Sequence, residues 1–147
     1  MTDTPQNTPS YIHSFHNLQA RVYVADTDFS GIVYHARYLE FFERGRSEFL
    51  RTIGLDNIGL ASNSQSEKLF FVVRRMNINF SRPAQLDDLL TIKTRISHIQ
   101  GARLFMAQSI MRDEILLVEA NVEIAIINQE GKPRRIPQDL FPPQKST

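Results

Sequence analysis

The 147-residue sequence contains no cysteine. It therefore offers no disulfide framework, no cysteine nucleophile and no cysteine-based metal site. It also has no excess of one charge, because 17 basic and 16 acidic residues leave a formal net charge of +1. Nucleic acid and anionic membranes are therefore not expected as main partners. No apolar run approaches the roughly 18 to 20 residues of a transmembrane helix, and we expect a soluble protein without a metal ion or cofactor.

The start of the chain is polar and lacks the basic segment and apolar run of a secretory signal, which predicts a cytoplasmic protein. A chain of this length forms one domain by default. The sequence contains no internal repeat and no nucleotide-binding glycine pattern. We expect residues 1–13 to form a disordered tail, residues 14–141 a single domain and residues 142–147 a second tail.

The spacing of apolar residues changes once along the first half of the chain. Residues 18–24 alternate between apolar and polar, which predicts a strand. Residues 36–53 place apolar side chains at helical spacings and form the clearest helix of the sequence. Gly45 lies on or beside the apolar stripe, so we expect the helix backbone to approach a sheet closely there. Gly54 is predicted to end the helix, and residues 61–68 are predicted to form a loop.

Four strand-like segments follow without a helix between them, at residues 70–80, 89–97, 104–111 and 115–128. This order predicts an α+β domain in which a five-stranded antiparallel sheet wraps around one long helix. In the second strand, alternation places Val72 and Met76 on one face. The opposite face then carries Phe71 and Val73, with Phe105 from a later strand. That apolar surplus predicts burial against another subunit.

The segment from Asp26 to Gly31 joins the first strand to the helix. The first turn of a helix exposes free N–H groups that can stabilise a developing negative charge on a carbonyl oxygen. Asp28 could attack such a carbonyl carbon or deprotonate a water molecule that does. By spacing alone, however, aspartates before a helix are more often caps and turn residues, and a lone His35 is more often packed or exposed than catalytic. Physical chemistry alone favours the interpretation as cap, turn and packed or exposed residues.

The run from Arg21 to Tyr38 reads Arg-Val-Tyr-Val-Ala-Asp-Thr-Asp-Phe-Ser-Gly-Ile-Val-Tyr-His-Ala-Arg-Tyr. It resembles the signature of the 4-hydroxybenzoyl-CoA thioesterase family of hotdog-fold enzymes, particularly the acyl-CoA thioesterase branch associated with the bacterial Tol-Pal envelope system. The segments Glu-Arg-Gly-Arg-Ser-Glu, Phe-Val-Val-Arg-Arg-Met and Arg-Pro-Ala-Gln-Leu-Asp-Asp, which begin at residues 43, 71 and 82, resemble the same branch. The resemblance implies a hotdog fold and an enzyme that hydrolyses acyl-CoA to free acid and CoA. The expected acyl groups are short-chain aliphatic or aromatic ones.

Carried over by position, the resemblance implies that Asp28, not Asp26, is the catalytic aspartate and that His35 is its catalytic partner. It places Gly31 and Tyr34 in the region that binds the substrate and its oxyanion, with a backbone donor at about His35. In related acyl-carrier-protein thioesterases an Asn-Asn pair occupies the positions of the Tyr-His pair, so this pair favours the acyl-CoA branch.

The chain departs from the branch at two places near the signature aspartate. Val24 stands where many members have a tyrosine proposed to help catalysis, and Phe29 and Ser30 replace smaller residues. Both departures bear on substrate size and rate rather than on the type of reaction.

Coenzyme A carries phosphates, which basic side chains at the mouth of a pocket would bind. Candidates beside predicted turns are Arg103, Lys132, Arg134 and Arg135. Basic side chains at turns are more often solvated surface, and the resemblance is what favours binding. It also implies a homodimer with a continuous sheet, or a homotetramer of two such dimers.

Two other functions stay open for this sequence. One is a non-catalytic module that binds acyl-CoA or acyl-carrier protein. Acyl-carrier protein is thus a possible second partner of this chain beside acyl-CoA. The other is a hotdog dehydratase or hydratase, although the histidine and acid motifs of those enzymes do not occur here.

Overall fold

The computed structural model describes residues 14–53 and 68–136. Strand β1 (His16–Arg21) is followed by a short 3-10 helix (Val24–Asp26), helix α1 (Arg37–Thr52) and strands β2 (Phe70–Phe80), β3 (Leu89–Gln100), β4 (Arg103–Arg112) and β5 (Ile115–Ile127). The predicted order of one strand, one long helix and four strands is confirmed. The predicted tails, the stop at Gly54 and nearly all of the predicted loop lie outside the described residues.

The five strands form one antiparallel sheet in the order β1-β3-β4-β5-β2. Helix α1 packs across one face of this sheet, against β1, β3 and β4. Aromatic and aliphatic side chains from the helix and from alternate strand positions form the core between them. Strands β1 and β2 are the two edges. Within the described ranges, no helix combines the length and the apolar character needed to cross a bilayer.

Strand β1 ends three residues earlier than the alternation predicts, at Arg21. The carboxylate of Asp26 accepts a hydrogen bond from the backbone N–H of Tyr23 at 2.8 Å, and the Asp26 N–H donates to the Tyr23 carbonyl at 2.9 Å. These two bonds close a turn of 3-10 helix, because a side-chain acceptor competes with the strand ladder for the backbone. Val24, predicted to lie in the strand, is consequently 74% exposed.

Strand β2 contains a bulge that the alternation did not reveal. Val73 lies opposite Ile124, yet Met76, three residues later, lies opposite Val122, so β2 carries one extra residue between them. A bulge of one residue reverses which face the following side chains occupy. Val73 and Met76 therefore share the helix-facing side, and the prediction that Val72 shares a face with Met76 is wrong.

The apolar surplus on the opposite face is accordingly smaller than predicted. Phe71 packs against the core beneath the helix. Phe105 lies opposite Glu123 and His98, on the face away from the helix, as predicted. We call this face, which carries Phe105, the outer face of the sheet.

The helix backbone approaches the sheet closely at Gly45, as predicted. A Cβ atom at this position would lie 2.6 Å from Cγ2 of Ile92 and 2.9 Å from Oγ1 of Thr94, both side chains of β3. Both distances are shorter than real Cβ contacts, so a side chain here would push α1 off the sheet. The helix-propensity cost of glycine, about 1 kcal/mol, is therefore offset by the close packing of helix and sheet.

A buried amide fixes the helix in register at the same level. The Gln108 side chain donates to the carbonyl of Phe42 and to the hydroxyl of Thr94, both at 2.9 Å, and accepts a bond from Arg46 at 3.0 Å. Burial lowers the pKa of Arg46, with a smaller opposing effect of Glu43. Because a buried polar group is costly when unpaired, this network specifies one position for the helix and so for its N-terminus.

Candidate active site

The segment between β1 and α1 is held against the connection between β2 and β3. The N–H of Val33 donates to the carbonyl of Ala84 at 2.9 Å, and the N–H of Leu86 donates to the carbonyl of Gly31 at 3.0 Å. The Ala84 N–H in turn donates to the hydroxyl of buried Tyr38 in α1 at 2.9 Å. Residues distant in sequence thus fix the backbone that carries the candidate catalytic residues.

Helix α1 begins without a side-chain cap. Its N-cap residue is Ala36, in a helical conformation (φ −72°, ψ −18°), and no side chain bonds to the first turn. No described residue accepts a hydrogen bond from the backbone N–H of His35 or of Ala36. Neither aspartate caps this helix, although both accept backbone N–H groups in the turns before it, as the alternative interpretation predicted. Two free donors at a positive helix end remain for a substrate oxygen.

Asp26 has a structural role in this segment. One carboxylate oxygen accepts the Tyr23 N–H at 2.8 Å, and the other lies 3.5 Å from Nε of Arg37. The Asp26 carbonyl accepts the N–H of Tyr34 at 3.1 Å. Both oxygens of Asp26 thus help to hold the segment together.

Asp28 differs from Asp26 because only one of its oxygens is engaged. Oδ1 accepts bonds from the hydroxyl and the backbone N–H of Ser30, at 2.5 and 2.8 Å. Oδ2 makes no hydrogen bond within the part of the chain that the structure describes. The Ser30 hydroxyl lowers the pKa of Asp28 most, followed by the Ser30 N–H; the Ile32 N–H adds a smaller lowering effect, and burial opposes all three. Asp28 is therefore an ionised, partly exposed carboxylate with one oxygen open to attack a carbonyl or accept a proton.

No hydrogen bond or ion pair joins the side chains of Asp28 and His35 in the described structure. His35 is exposed, and its ring packs against that of Tyr34 with a centroid distance of 4.6 Å. Gly31 has φ +84°, which favours glycine, and its N–H donates to the Asp28 carbonyl at 3.1 Å. Gly31 thus shapes the turn, and the free donors lie at His35 and Ala36 instead.

A cleft of about 250 Å³ opens between the helix start and the β2–β3 connection. Apolar and polar side chains line it, namely Ile32, Val33, His35, Tyr38, Phe80, Ser81, Arg82 and Pro83. Burial, the largest effect, raises the pKa of Tyr38, whose ring lies 5.7 Å from that of Phe80. The cleft reaches His35 and not Asp28, so in a single chain only one of the two predicted catalytic residues lines it. Its largely apolar wall suits an acyl chain.

The candidate CoA-binding residues lie far from Asp28 within one chain. Arg103 begins β4, next to the β3–β4 turn, and its Nε lies 3.2 Å from Glu123. Arg134 is bonded through its backbone to Ile126 near the end of β5. The segment with Asp28 is bonded to the connection at the other end of β3, a strand of 12 residues or roughly 40 Å. Lys132 and Arg135 are exposed and lie beside Arg134, at the same end of the sheet as Arg103. The structure therefore does not bring these basic residues together with Asp28 in one subunit.

Sequence reasoning missed Ser30 and Tyr38 as residues of this site. An Asp followed two residues later by Ser is a typical side-chain turn, so the Asp28–Ser30 contact had a readable signal. The bond between Tyr38 and Ala84 joins residues 46 positions apart, and no local pattern could have indicated it.

Comparison with known proteins identifies the family. The profile of the Thioesterase superfamily matches residues 30–119, more than half of the chain. The chain belongs to the Thioesterase superfamily. The predicted hotdog thioesterase family and fold are thereby confirmed. A match to the family does not assign roles to single residues, so the catalytic roles of Asp28 and His35 stay predictions, as does the Tol-Pal branch.

Individual relatives agree with this assignment. The Haemophilus influenzae acyl-CoA thioesterase YbgC is 41% identical over 121 residues, which cover 82% of this chain and 87% of that protein. The Escherichia coli O6:H1 acyl-CoA thioester hydrolase YbgC is 40% identical over 122 residues, 82% of this chain and 88% of that protein. The crystal structure of a probable thioesterase from Bartonella henselae superposes with a TM-score of 0.81 at 73% identity, covering 84% of this chain and 100% of that one.

Proposed function

We propose that this member of the Thioesterase superfamily hydrolyses acyl-coenzyme A to the free acid and CoA. The observation that carries the proposal is the pairing, on one short segment, of the half-engaged carboxylate of Asp28 with the uncapped start of α1. The names of relatives about 40% identical, acyl-CoA thioesterase and acyl-CoA thioester hydrolase, support the same reaction.

The reaction needs two groups from this segment. The thioester oxygen accepts hydrogen bonds from the free N–H groups of His35 and Ala36, which stabilise the negative charge that develops on it. Oδ2 of Asp28 either attacks the carbonyl carbon or removes a proton from the attacking water. In the first route a mixed anhydride forms as CoA thiolate leaves, and water then cleaves it; in the second, water adds directly. Both routes yield a carboxylic acid and the CoA thiol.

We further propose that two chains pair along the exposed edge of β2 to form a continuous sheet. Val73 and Phe80 on this strand are 44% and 53% exposed, and an unpaired edge offers free backbone groups to a second copy. A two-fold axis between antiparallel β2 strands places opposite ends of the two sheets side by side. The Arg103 end of one chain would then approach the Asp28 segment of the other, so the CoA phosphates bind residues from the second chain.

Two such dimers would associate through the outer face of the sheet into a homotetramer. This face carries half-buried Phe105 and a groove of about 390 Å³, lined by Arg75, Asn77, Ser97, His98, Phe105, Met106, Asn121, Val122 and Glu123. Arg74, Arg75 and Arg103 all lie within 4.0 Å of Glu123. An aromatic group beside paired charges suits association with a second copy of the same face.

Thiol release from a panel of acyl-CoA compounds tests the proposed reaction. We expect rapid release from short-chain aliphatic or aromatic thioesters and slower release from long-chain ones, because the cleft is small. Acyl-carrier-protein thioesters, assayed in parallel, test the second partner. Binding without thiol release would instead indicate a binding module, and loss of the double bond of an enoyl-CoA without thiol release would indicate a hydratase. We place the reaction in the cytoplasm, where CoA thioesters occur.

Charge placed on the β2 edge tests the proposed assembly. We expect Val73→Lys to yield monomers in light scattering after gel filtration and to lose thiol release, because lysine opposes edge pairing and the site is then incomplete. Ile115→Lys is the matched control, since Ile115 is similarly exposed (40%) at the start of β5, and should behave as wild type. Dimers of undiminished activity in Val73→Lys would contradict pairing through β2.

A further inference from the structure

Ser30 makes the two oxygens of the Asp28 carboxylate inequivalent. Ser30 donates two hydrogen bonds to Oδ1, one from its hydroxyl at 2.5 Å and one from its backbone N–H at 2.8 Å. Each carboxylate oxygen has about two acceptor positions, so both positions on Oδ1 are occupied. Oδ2 is left as the oxygen with unused acceptor positions.

The backbone around Ser30 makes this contact independent of substrate. The Asp28 N–H donates to the Ile32 carbonyl at 2.9 Å, the Gly31 N–H donates to the Asp28 carbonyl at 3.1 Å, and the Gly31 carbonyl accepts the Leu86 N–H at 3.0 Å. These bonds hold residues 28–32 as a closed turn against the β2–β3 connection. Ser30 is itself exposed, so its hydroxyl has no packing role that would explain its position.

We propose that Ser30 is a positioning residue that holds the Asp28 carboxylate in one orientation and reserves Oδ2 as the reacting oxygen. This inference rests on the proposed thioesterase function. A free carboxylate rotates about its side-chain bonds, and arresting that rotation before the substrate arrives removes an entropic cost from the reaction. The hydroxyl bond also stabilises the ionised form of Asp28, which is the form that reacts.

The consequences for rate and for pH are separable. Because Ser30 does not line the cleft, loss of its hydroxyl should leave KM nearly unchanged while kcat falls about 10-fold to 100-fold, the effect of a misplaced reacting group. The hydroxyl lowers the pKa of Asp28, so its removal should move the acid limb of the kcat/KM profile to higher pH. A residue that only stabilised the fold would change neither the acid limb nor the ratio of kcat to KM.

A matched pair of substitutions provides the test. Ser30→Val and Ser30→Thr have nearly the same shape, and only threonine keeps the hydroxyl; Ser30→Ala removes the hydroxyl without adding bulk. We expect Ser30→Ala and Ser30→Val to show the lower kcat and the shifted acid limb, and Ser30→Thr to restore both toward wild type. Thermal unfolding of each variant checks that the fold is kept.

The possible failures are distinguishable. An active wild-type protein whose Ser30→Ala and Ser30→Val variants keep its kcat and acid limb would overturn the role of Ser30. So would a Ser30→Thr variant as impaired as Ser30→Val. A wild-type protein that releases no thiol from any acyl-CoA would overturn the proposed function itself.

Discussion

Asp28→Asn is expected to lower kcat by about 100-fold to 10,000-fold, the usual loss on removing a general base, while leaving the fold intact. The asparagine amide can still present an oxygen to Ser30, so the turn is kept. An amide in place of Oδ2 can neither attack the thioester nor accept a proton at neutral pH. Steady-state thiol release gives kcat and thermal unfolding gives the stability of the fold, both measured on the same preparation.

Asp26→Asn is the matched control for this result, because it makes the same chemical change two residues away. Asp26 accepts the Tyr23 N–H and lies beside Arg37. Its substitution should therefore lower the unfolding temperature while leaving kcat close to that of the wild type. If Asp28→Asn kept full activity on every acyl-CoA that the wild type hydrolyses, Asp28 would not be the catalytic carboxylate. The same holds if Asp26→Asn alone abolished turnover in a folded protein.

His35→Pro is expected to lower kcat by about 100-fold to 1,000-fold, the usual loss of one oxyanion donor, whereas His35→Ala should lose much less. Both substitutions remove the imidazole ring, and only proline also removes the backbone N–H. The Arg37 N–H donates to the Tyr34 carbonyl at 2.8 Å, so His35 is the first central residue of a turn, where proline is favoured. The helix start should therefore survive the change.

Comparing kcat for the two variants on one acyl-CoA isolates the contribution of the N–H group. Circular dichroism establishes whether α1 is retained in His35→Pro. If both variants had kcat values close to that of the wild type, the His35 N–H would be excluded as a donor. An equally large loss in both would assign the role to the imidazole ring instead.

Helix α1 and strands β2 to β5 were predicted to within three residues at each end, because their apolar spacing matches the structural period over many residues. The end of β1 was missed since a single side-chain bond, from Asp26 to the Tyr23 backbone, redirects the chain. The face of β2 was missed since the extra residue after Val73 interrupts the alternation without leaving a compositional mark. Both errors arise where one local contact overrides a periodic pattern.

The sequence by itself determined the family and the fold class of this protein, and it singled out the segment that contains Asp28. These properties follow from periodicity and from a motif, which are both linear in the chain. Only the tertiary structure decided that Asp26 is engaged on both oxygens while Asp28 keeps one open, and that the helix start has no cap. It also separated the basic CoA-binding candidates from Asp28 by the length of the sheet. The bonds of the two aspartates are local in sequence, but which oxygen accepts which N–H is decided by the three-dimensional geometry of the turns. The separation of the basic residues from Asp28 depends on the pairing of strands far apart in sequence, and spacing along the chain encodes neither.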